Sequence, residues 1–435
     1  MSADQPGPPA PPGSPETPGP PAGGPRTWRT ATLNHTIVSA IVEGSPAVVT
    51  FLAILAAVVL GGLLIAFSDP TVLHAWSTFF SDPVNALALA WDAAAGAYVA
   101  LFEGAIVNPQ TVAAAFHGGS VGAIFYPLSQ TASNATPLIL TGLSVAIAFR
   151  AGLFNIGAAG QWIGGAIVAT YLGFAISLPP VVHLIVCLLG GFIGGAVIGW
   201  LVGELKARTG AHEVIVTIML NYIMYNLLSF LLSTPTALQQ PGQSNLISPN
   251  LAADARLPHV GGPPPQVDLG FLVGIAAAVG LWWLLSRSTV GFQFRAVGAN
   301  PSAARSAGMD VERSWVRVML LAGGLAGLGG AAVILGPLQQ LTFNSYGTYG
   351  FDGITVALLG RASPLGVVLA ALLFGALHAG GTNMEAATQV PSDIVEVLQG
   401  LIVLFVAAPP LIRAIFRLRR ARAAGLEAVP KGWNP

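Results

Sequence analysis

The sequence predicts an all-α, polytopic membrane protein with about ten transmembrane crossings, including two short broken half-helices. Hydrophobic residues make up 54% of the 435 residues and charged residues only 8%, whereas an ordinary soluble domain is about 25% charged. Apolar runs at 47–67, 180–203 and 316–336 each approach or exceed the roughly 20 residues that a helix needs to cross a bilayer. A formal net charge of zero gives no indication of a nucleic-acid partner.

Composition divides the chain into two tails and a membrane domain. Residues 1–30 are expected to form a disordered cytoplasmic tail, because ten of the first 25 residues are proline and no apolar core of a signal peptide is present. Residues 31–412 form the predicted transmembrane domain, and 413–435 a basic cytoplasmic tail. The single Cys187 excludes a disulfide framework, and the seven histidines show no paired spacing of metal ligands.

The distribution of basic residues predicts the topology. Lys and Arg are absent from Thr30 through Phe149 and then recur in clusters, which mark the cytoplasmic side of a membrane protein. With both termini in the cytoplasm, seventeen of the eighteen basic residues lie inside and only Arg256 lies outside. The predicted crossings are 47–67, 137–149, 153–175, 180–204, 211–233, 269–285, 316–337, 352–360, 364–380 and 391–411. The longer connections are two external loops and one cytoplasmic loop, at 68–136, 234–268 and 287–315.

One apolar stretch, 84–107, is not counted as a crossing. It contains Asp92 and Glu103, and counting it would put Arg29 and Arg150 on opposite faces of the membrane. We therefore interpret it as an external or interfacial helix.

Two of the predicted crossings are too short for a bilayer. At about 1.5 Å per residue, 137–149 spans roughly 20 Å and 352–360 roughly 14 Å, against a hydrocarbon core of about 30 Å. They also resemble each other, since "GLSVAIAFR" ending at Arg150 and "GITVALLGR" ending at Arg361 share four identities. Interrupted helices at corresponding places in two repeats indicate a transport site, because unpaired backbone groups at a break must face protein or water.

Polar residues beside the first break are candidates for the wall of a transport path. Asn155 is expected to cap a helix that begins at Ile156, with Gln161 near its start. The alternative is that Asn155 and Gln161 only cap and cross-link helices. Arg150 and Arg361 are expected at the carboxyl ends of half-helices, where positive charge is favourable. The alternative is that they contact a substrate.

Seven further residues on or beside the crossings complete the predicted path. Ser144 and Thr355 occupy equivalent places in the two repeats and are expected to line one central path from opposite sides. The other candidates are Asn221, Tyr222, Tyr225, Phe351 and Asp352. Tyr222 and Tyr225 could equally be packing residues, and Asp352 could equally stabilise a helix amino terminus.

Crossing 180–204 carries a stripe of glycines. Its members are spaced four residues apart: Gly191, Gly195, Gly199 and Gly203. Such a flat face lets another helix approach closely. That helix could belong to the same subunit or to another one.

The cytoplasmic loop contains a short capped helix with small side chains, which is expected where a separate motor protein drives a transporter. The residues expected to contact that motor are Asn300, Pro301, Ala303, Ala304, Ala307 and Gly308. The chain itself has no GxxxxGK[ST] phosphate loop, because its only lysines, Lys206 and Lys431, do not follow such a pattern. ATP would therefore have to be used by a partner.

These features resemble the permease subunits of bacterial ABC importers, in the group that serves branched-chain amino acids, simple sugars and nucleosides. The resemblance covers most of residues 45–415 and is strongest to the longer of two nucleoside permeases. It is carried by "RAGLFNIGAAGQ" (Arg150–Gln161), "EVIVTIMLNYI" (Glu213–Ile223), "RAVGANPSAARSAGM" (Arg295–Met309) and "GFDGITVALLGRASPLG" (Gly350–Gly366). One departure is Ala159, which stands where the family usually has glutamate.

The resemblance implies a transport subunit of a bacterial inner membrane rather than an enzyme. Its implied partners are a second, shorter permease in a heterodimer, a cytoplasmic ATPase and an extracytoplasmic lipoprotein that delivers nucleoside. It also implies that the helix Asn300–Gly308 couples the chain to the ATPase, and that this chain binds no cofactor itself. The alternatives are a permease for a ribose-like simple sugar and a proton-coupled secondary transporter, which would need intramembrane carboxylates.

Overall fold

Sixteen helices account for nearly all the regular structure in the described part of the chain. A computed structural model describes residues 46–416, except 236 and 261–266. The predicted tail 1–30 lies outside the described residues, as does nearly all of 413–435. Within the described residues the only sheet is a two-stranded antiparallel pair. The predicted all-α class is therefore correct.

The helices are numbered in chain order. They are α1 Pro46–Ser68, α2 Pro70–Ser77, α3 Pro83–Ala105, α4 Pro109–Phe116, α5 Tyr126–Arg150, α6 Ala158–Ala175, α7 Pro180–Thr209, α8 Glu213–Ser233, α9 Leu269–Arg287, α10 Thr289–Ala299, α11 Pro301–Ser306, α12 Val311–Val333, α13 Tyr349–Leu359, α14 Pro364–Thr388, α15 Asp393–Ala407 and α16 Pro409–Ile415. Shorter turns of helix are Val121–Phe125, Ala253–Ala255, Ile334–Leu338 and Phe343–Tyr346, and the strands are β1 His259–Val260 and β2 Val267–Asp268.

Eight helices in the described part of the chain are long and apolar enough to cross a membrane. They are α1, α3, α5, α7, α8, α9, α12 and α14. Helices α15 and α16 bend by 92° at their junction and would make a ninth crossing as a pair. The polytopic architecture is therefore confirmed, with eight or nine helices that have the length and apolarity of a crossing; α6 and α13, which correspond to the predicted crossings 153–175 and 352–360, are not among them.

Helix α3 corrects the interpretation of 84–107 as an external or interfacial helix. It has 23 residues and is itself a candidate crossing. It packs closely on α14, where a Cβ added at Gly380 would overlap the Leu101 carbonyl oxygen. The Glu103 side chain is not surrounded by lipid, because it lines a cavity of about 340 Å³ near the end of α3 together with other polar side chains.

Counting α3 as a crossing changes the predicted topology. If helices α1, α3 and α5 cross in succession, Val49 and Arg150 would lie on opposite sides of the membrane. The expected external loop 68–136 is not a loop, since it contains α2, α3, α4 and the start of α5.

Helix α5 shows that the first of the two crossings predicted to be short, 137–149, is part of a longer helix. It has 25 residues and continues through Pro137, where we expected the crossing to begin. Its amino-terminal half is polar, but the polar groups are paired inside the protein. Thr131 donates to the Ala105 carbonyl oxygen at 2.6 Å, and Ser133 donates to Asp268 at 3.2 Å. Paired side chains can be buried at low cost, and this allows the helix to extend.

The predicted glycine stripe packs within this chain. All four glycines of α7 face α12, whose own Gly323 and Gly327 meet them. A Cβ added at Gly195 would overlap the Gly323 carbonyl oxygen, and one added at Gly203 would lie 2.7 Å from the Val316 Cα. The stripe therefore holds α7 and α12 at a backbone-to-backbone distance that side chains would prevent.

Candidate functional site

Helices α5 and α13 end side by side at the break between α5 and α6. Helix α13 has 11 residues and is therefore about 16 Å long, so its predicted shortness is correct. A Cβ added at Gly353 would lie 2.7 Å from the Thr141 side chain, and one at Gly142 would lie 2.9 Å from Val356. At the end of the pair, Arg150 donates from Nε to the Ala362 carbonyl oxygen at 2.8 Å. The two segments of the proposed repeat are thus neighbours in space.

Two amide side chains pair with each other inside the break. Asn155 donates to the Gln161 Oε1 at 2.9 Å, and Gln161 donates back to the Asn155 Oδ1 at 3.1 Å. Asn155 also donates to the Ser144 hydroxyl at 3.2 Å. All three side chains are completely buried. The group forms a closed network that joins α5 to α6.

The cap of α6 comes from a different residue than expected. Helix α6 begins at Ala158, and the backbone N–H that donates to the Asn155 Oδ1 is that of Gly157, at 3.1 Å, within the break and not in the helix. Instead Asn221 of α8 accepts from the Gly160 N–H at 2.8 Å, and its own amide donates to the Ile156 carbonyl oxygen at 3.0 Å. Asn221 therefore satisfies free backbone groups of the first turn from a neighbouring helix.

A separate cavity lined by several polar side chains lies beside α13. Its volume is about 200 Å³. The lining residues are Thr348, Asp352, Thr355, Phe374, Glu396, Gln399 and Gly400. Asp352 accepts from the Thr348 hydroxyl at 2.6 Å, and the Thr355 hydroxyl donates to the Asp352 carbonyl oxygen at 2.7 Å. Of the predicted path residues, Asp352 and Thr355 line this cavity, whereas Ser144, Asn155 and Gln161 do not.

Aromatic rings cluster between α6, α8 and the segment before α13. Tyr225 lies with its ring centre 4.8 Å from that of Tyr346, and Trp162 stacks on Tyr349 with ring centres 6.2 Å apart. Tyr222, by contrast, is 61% exposed on the outer face of α8. Phe351 is also exposed, on α13. The structure therefore places Tyr225, but not Tyr222, next to other rings.

The segment between α9 and α12 forms two helices, α10 and α11. The Asn300 side chain caps α11 by accepting from the Ala303 N–H at 3.0 Å, and Gly308 follows the helix with a φ of 81°. Ala303 and Ala307 are exposed, but Ala304 is buried against Val297 and Val311. Ala304 therefore belongs to the packing of the segment, which corrects its place in the predicted contact surface.

This segment contacts the break directly. A Cβ added at Gly298 would overlap the Arg150 carbonyl oxygen. Nearby, Lys206 pairs with Glu213 at 2.7 Å and lies 4.9 Å from the centre of the Trp315 ring. Displacement of α10 would therefore move the end of α5.

Comparison with known proteins gives the family. A family described as the branched-chain amino acid transport system permease component matches residues 128–407. This chain belongs to that family. It is a permease, a transport component and not an enzyme. The matched range contains the break, α13 and the helices α10 and α11.

Several relatives of the permease belong to ABC systems. The guanosine ABC transporter permease NupP of Bacillus subtilis is 38% identical over 78% of this chain and 97% of its own. The nucleoside permease NupB of Lactococcus lactis is 35% identical over 70% and 85%. The glucose permease TsgB13 of Haloferax volcanii is 37% identical over 64% and 76%. No solved structure was found to match.

Sequence reasoning missed several residues of the permease that line the cavity. Glu396 and Gln399 lie on α15, 44 and 47 positions after Asp352, and nothing in their local pattern connects them to α13. A detectable signal was the placement of Asp393, Glu396 and Gln399 at a spacing of three at the start of a helix that is otherwise apolar. Trp162 and Tyr349 were missed because aromatic residues in apolar helices usually pack in the core.

Proposed function

We propose that this permease imports nucleosides as the membrane subunit of an ATP-driven transporter. The similarity to the guanosine permease NupP, which extends over 97% of that protein, carries the proposal. The nucleoside permease NupB supports the same substrate class. A simple sugar is the second candidate, because the glucose permease TsgB13 is 37% identical.

The site offers both kinds of surface that a nucleoside needs. The rings of Tyr225 and Tyr346 lie near the break, and aromatic faces can stack on a base. The cavity beside α13 offers the carboxylate of Asp352 and the hydroxyl of Thr355. Stacking of a base on these rings is a contact that a sugar without a base cannot make, and the proposal of a nucleoside uses it.

The expected partners remain part of this proposal. The chain is also 25% identical to the guanosine permease NupQ and 27% identical to the nucleoside permease NupC. NupQ comes from Bacillus subtilis, as NupP does, and NupC comes from Lactococcus lactis, as NupB does. Two permeases of this kind in one organism support a heterodimer with a shorter second permease. A cytoplasmic ATPase would contact α11 and use the ATP, and an extracytoplasmic lipoprotein would deliver the substrate.

We place the permease in the bacterial inner membrane. The end of the bundle that carries Arg150, Lys206 and Arg361 would face the cytoplasm, following the preference of basic residues for that side. The carboxyl terminus would lie on the same side if α15 and α16 together cross. The expected cytoplasmic location of the amino terminus concerns residues outside the described range, but Val49 near the start of α1 would lie on the opposite side from Arg150 if α1, α3 and α5 all cross.

The predicted path is proposed in two parts. Asp352 and Thr355 already line a cavity and would contact substrate without rearrangement. Ser144, Asn155, Gln161 and Asn221 form closed contacts, so they would reach substrate only in a state in which the break opens.

Uptake in cells without their own nucleoside transporters tests the function. The permease would be expressed with its proposed ATPase, second permease and lipoprotein, and uptake of radiolabelled guanosine would be measured. We expect uptake that unlabelled nucleosides inhibit and that external glucose and ribose do not, because the proposed lipoprotein would not deliver them to the permease. The control is the same system with an inactive ATPase, which should import nothing. Inhibition by sugars alone would favour the second candidate, and loss of uptake on adding a protonophore at constant ATP would favour proton coupling.

A further inference from the structure

The cavity beside α13 holds more polar groups than its walls can pair. Besides Asp352 and two threonines it is lined by Glu396 and Gln399 of α15. A second cavity, of about 110 Å³, shares Glu396 and Gln399 and adds His378 of α14. The two cavities therefore surround one pair of side chains on α15.

The amide of Gln399 is buried without a partner. The side chain is only 5% exposed, and no group among the described residues accepts from its Nε2. The Nε2 of His378 is likewise buried and unpaired in the described part of the chain. Buried polar groups are nearly always hydrogen-bonded, because leaving one unpaired is unfavourable. Something that supplies hydrogen bonds is therefore expected in the cavity.

The arrangement of charge and polarity limits what that group can be. The carboxylates of Asp352 and Glu396 disfavour an anion. The described residues contain no group of three or more His, Cys, Asp or Glu side chains that could hold a metal ion. The Gln399 amide needs an acceptor, while the carboxylates need donors. Hydroxyl groups meet both needs, because each hydroxyl donates one hydrogen bond and accepts others.

The size of the cavity agrees with one sugar ring. Sites for drug-sized ligands usually have volumes of about 300–1,000 Å³, and this cavity has about 200 Å³. A pentose fits that space better than a whole nucleoside, so the base would remain outside.

We propose that Asp352, Glu396 and Gln399 bind the sugar hydroxyls of the transported nucleoside. This inference rests on the proposed function and adds to it two residues of α15 and the part of the substrate that they contact. The carboxylates accept hydrogen bonds from the 2′- and 3′-hydroxyls, and the Gln399 amide donates to one of the hydroxyl oxygens.

Uptake of guanosine and 2′,3′-dideoxyguanosine by the complete transporter tests the inference. The same lipoprotein serves every variant, so a change in the ratio of the two uptake rates reports on the permease. Gln399→Leu and Glu396→Gln should lower guanosine uptake by about ten- to a hundredfold and leave uptake of the dideoxy analogue near the parent level. Asp393→Asn, on the same helix but outside the cavity, should change neither.

Thermal stability separates binding from folding. Gln399→Leu removes an amide that has no partner among the described residues, so the purified complex should melt at the parent temperature or above it. Equal loss of both uptake rates together with a lower melting temperature would show a structural role and overturn the inference.

A second measurement does not depend on uptake. In a Cys187→Ser background, Thr355→Cys in the purified complex should react with a small water-soluble thiol reagent, and guanosine or D-ribose should slow the reaction while 2′,3′-dideoxyguanosine should not. Labelling that no sugar slows would mean that the cavity holds only water, and would overturn the inference. If the parent imports no nucleoside, the proposed function fails, and protection by ribose still decides what the cavity binds.

Discussion

Arg150 donates from its Nε to the carbonyl oxygen of Ala362 at 2.8 Å. This bond joins the end of α5 to the turn that follows α13, the two places where the proposed repeat ends in arginine. The turn itself is unusual, since Arg361 and Ala362 have φ values of 52° and 48°, a region that side chains rarely adopt. The Arg150 side chain thus stabilises a strained turn by donating to a backbone carbonyl oxygen of that turn.

Arg150→Ala should destabilise the assembled permease by about 1 kcal/mol, less than the roughly 1.5–3 kcal/mol typical of a hydrogen bond that involves a charged group, because the side chain is exposed. The change would be measured as a lower melting temperature of the purified complex. Arg287→Ala is the matched control, because Arg287 also ends a helix and is exposed. Equal effects of the two substitutions would mean that only charge at a helix end matters.

The contact between α7 and α12 leads to a second prediction. Gly195→Ala would place a Cβ against the Gly323 carbonyl oxygen, and overpacking of this kind costs about 1–3 kcal/mol. Gly280→Ala is the control, because a Cβ there meets nothing within 4 Å, and it should be neutral or stabilising by up to about 1 kcal/mol. Melting temperatures and gel filtration of the complex would measure both. If Gly195→Ala has the same melting temperature as the parent, α7 and α12 can move apart without loss of stability.

Much of the fold was predictable, because apolar runs and glycine spacing depend on local sequence. The helices α7, α8, α9 and α12 begin and end near the predicted bounds. The errors concern segments whose polar residues find partners far along the chain. Ser133 pairs with Asp268, 135 positions away, and such pairing is invisible in a single sequence. We therefore placed the start of α5 too late and left α3 outside the membrane.

The site was predictable only in part. The residues near the break were correctly grouped, since Ser144, Asn155 and Gln161 meet in one network. Thr355 was expected opposite them, but it lines a different cavity. Two repeats with similar sequences place residues at equivalent positions of their own helices, but these residues need not line the same cavity. The role of Asn221 as the cap of α6 could not be predicted, because it depends on how α8 packs.

The exposed face of α11 leads to a third prediction. Ala307→Arg should lower uptake and substrate-stimulated ATP hydrolysis by roughly ten- to a hundredfold, as expected when a large side chain overpacks an interface, without changing the melting temperature of the permease. Ala304→Arg should instead lower that temperature, because Ala304 is buried against Val297 and Val311. ATPase assays and melting curves on both variants would be compared. Normal coupling in Ala307→Arg would place the ATPase contact elsewhere.

The amide pair in the break leads to a fourth prediction. Asn155→Ala leaves the Gln161 amide and the Gly157 N–H without partners, at a cost of about 1–3 kcal/mol for each buried group. The double variant Asn155→Ala with Gln161→Ala should lose less stability than the sum of the two single variants, with a coupling of about 0.5–3 kcal/mol. Chemical or thermal unfolding of the complex would give these values. Additive effects would mean that the two side chains act independently.

Thiol labelling separates the two parts of the proposed path. Thr355 lines a cavity at rest, whereas Ser144 is completely buried and accepts from Asn155. In a Cys187→Ser background, Thr355→Cys should therefore react with a water-soluble reagent without ATP, and Ser144→Cys should react only during turnover, when the break opens. Ala146→Cys, buried on the same helix, and Ile215→Cys, exposed on α8, are the buried and lipid-facing controls. If Ser144→Cys stays as unreactive as Ala146→Cys during turnover, the break does not open to water. Asn155 and Gln161 would then serve only to hold α5 and α6 together, and the substrate would pass along α13.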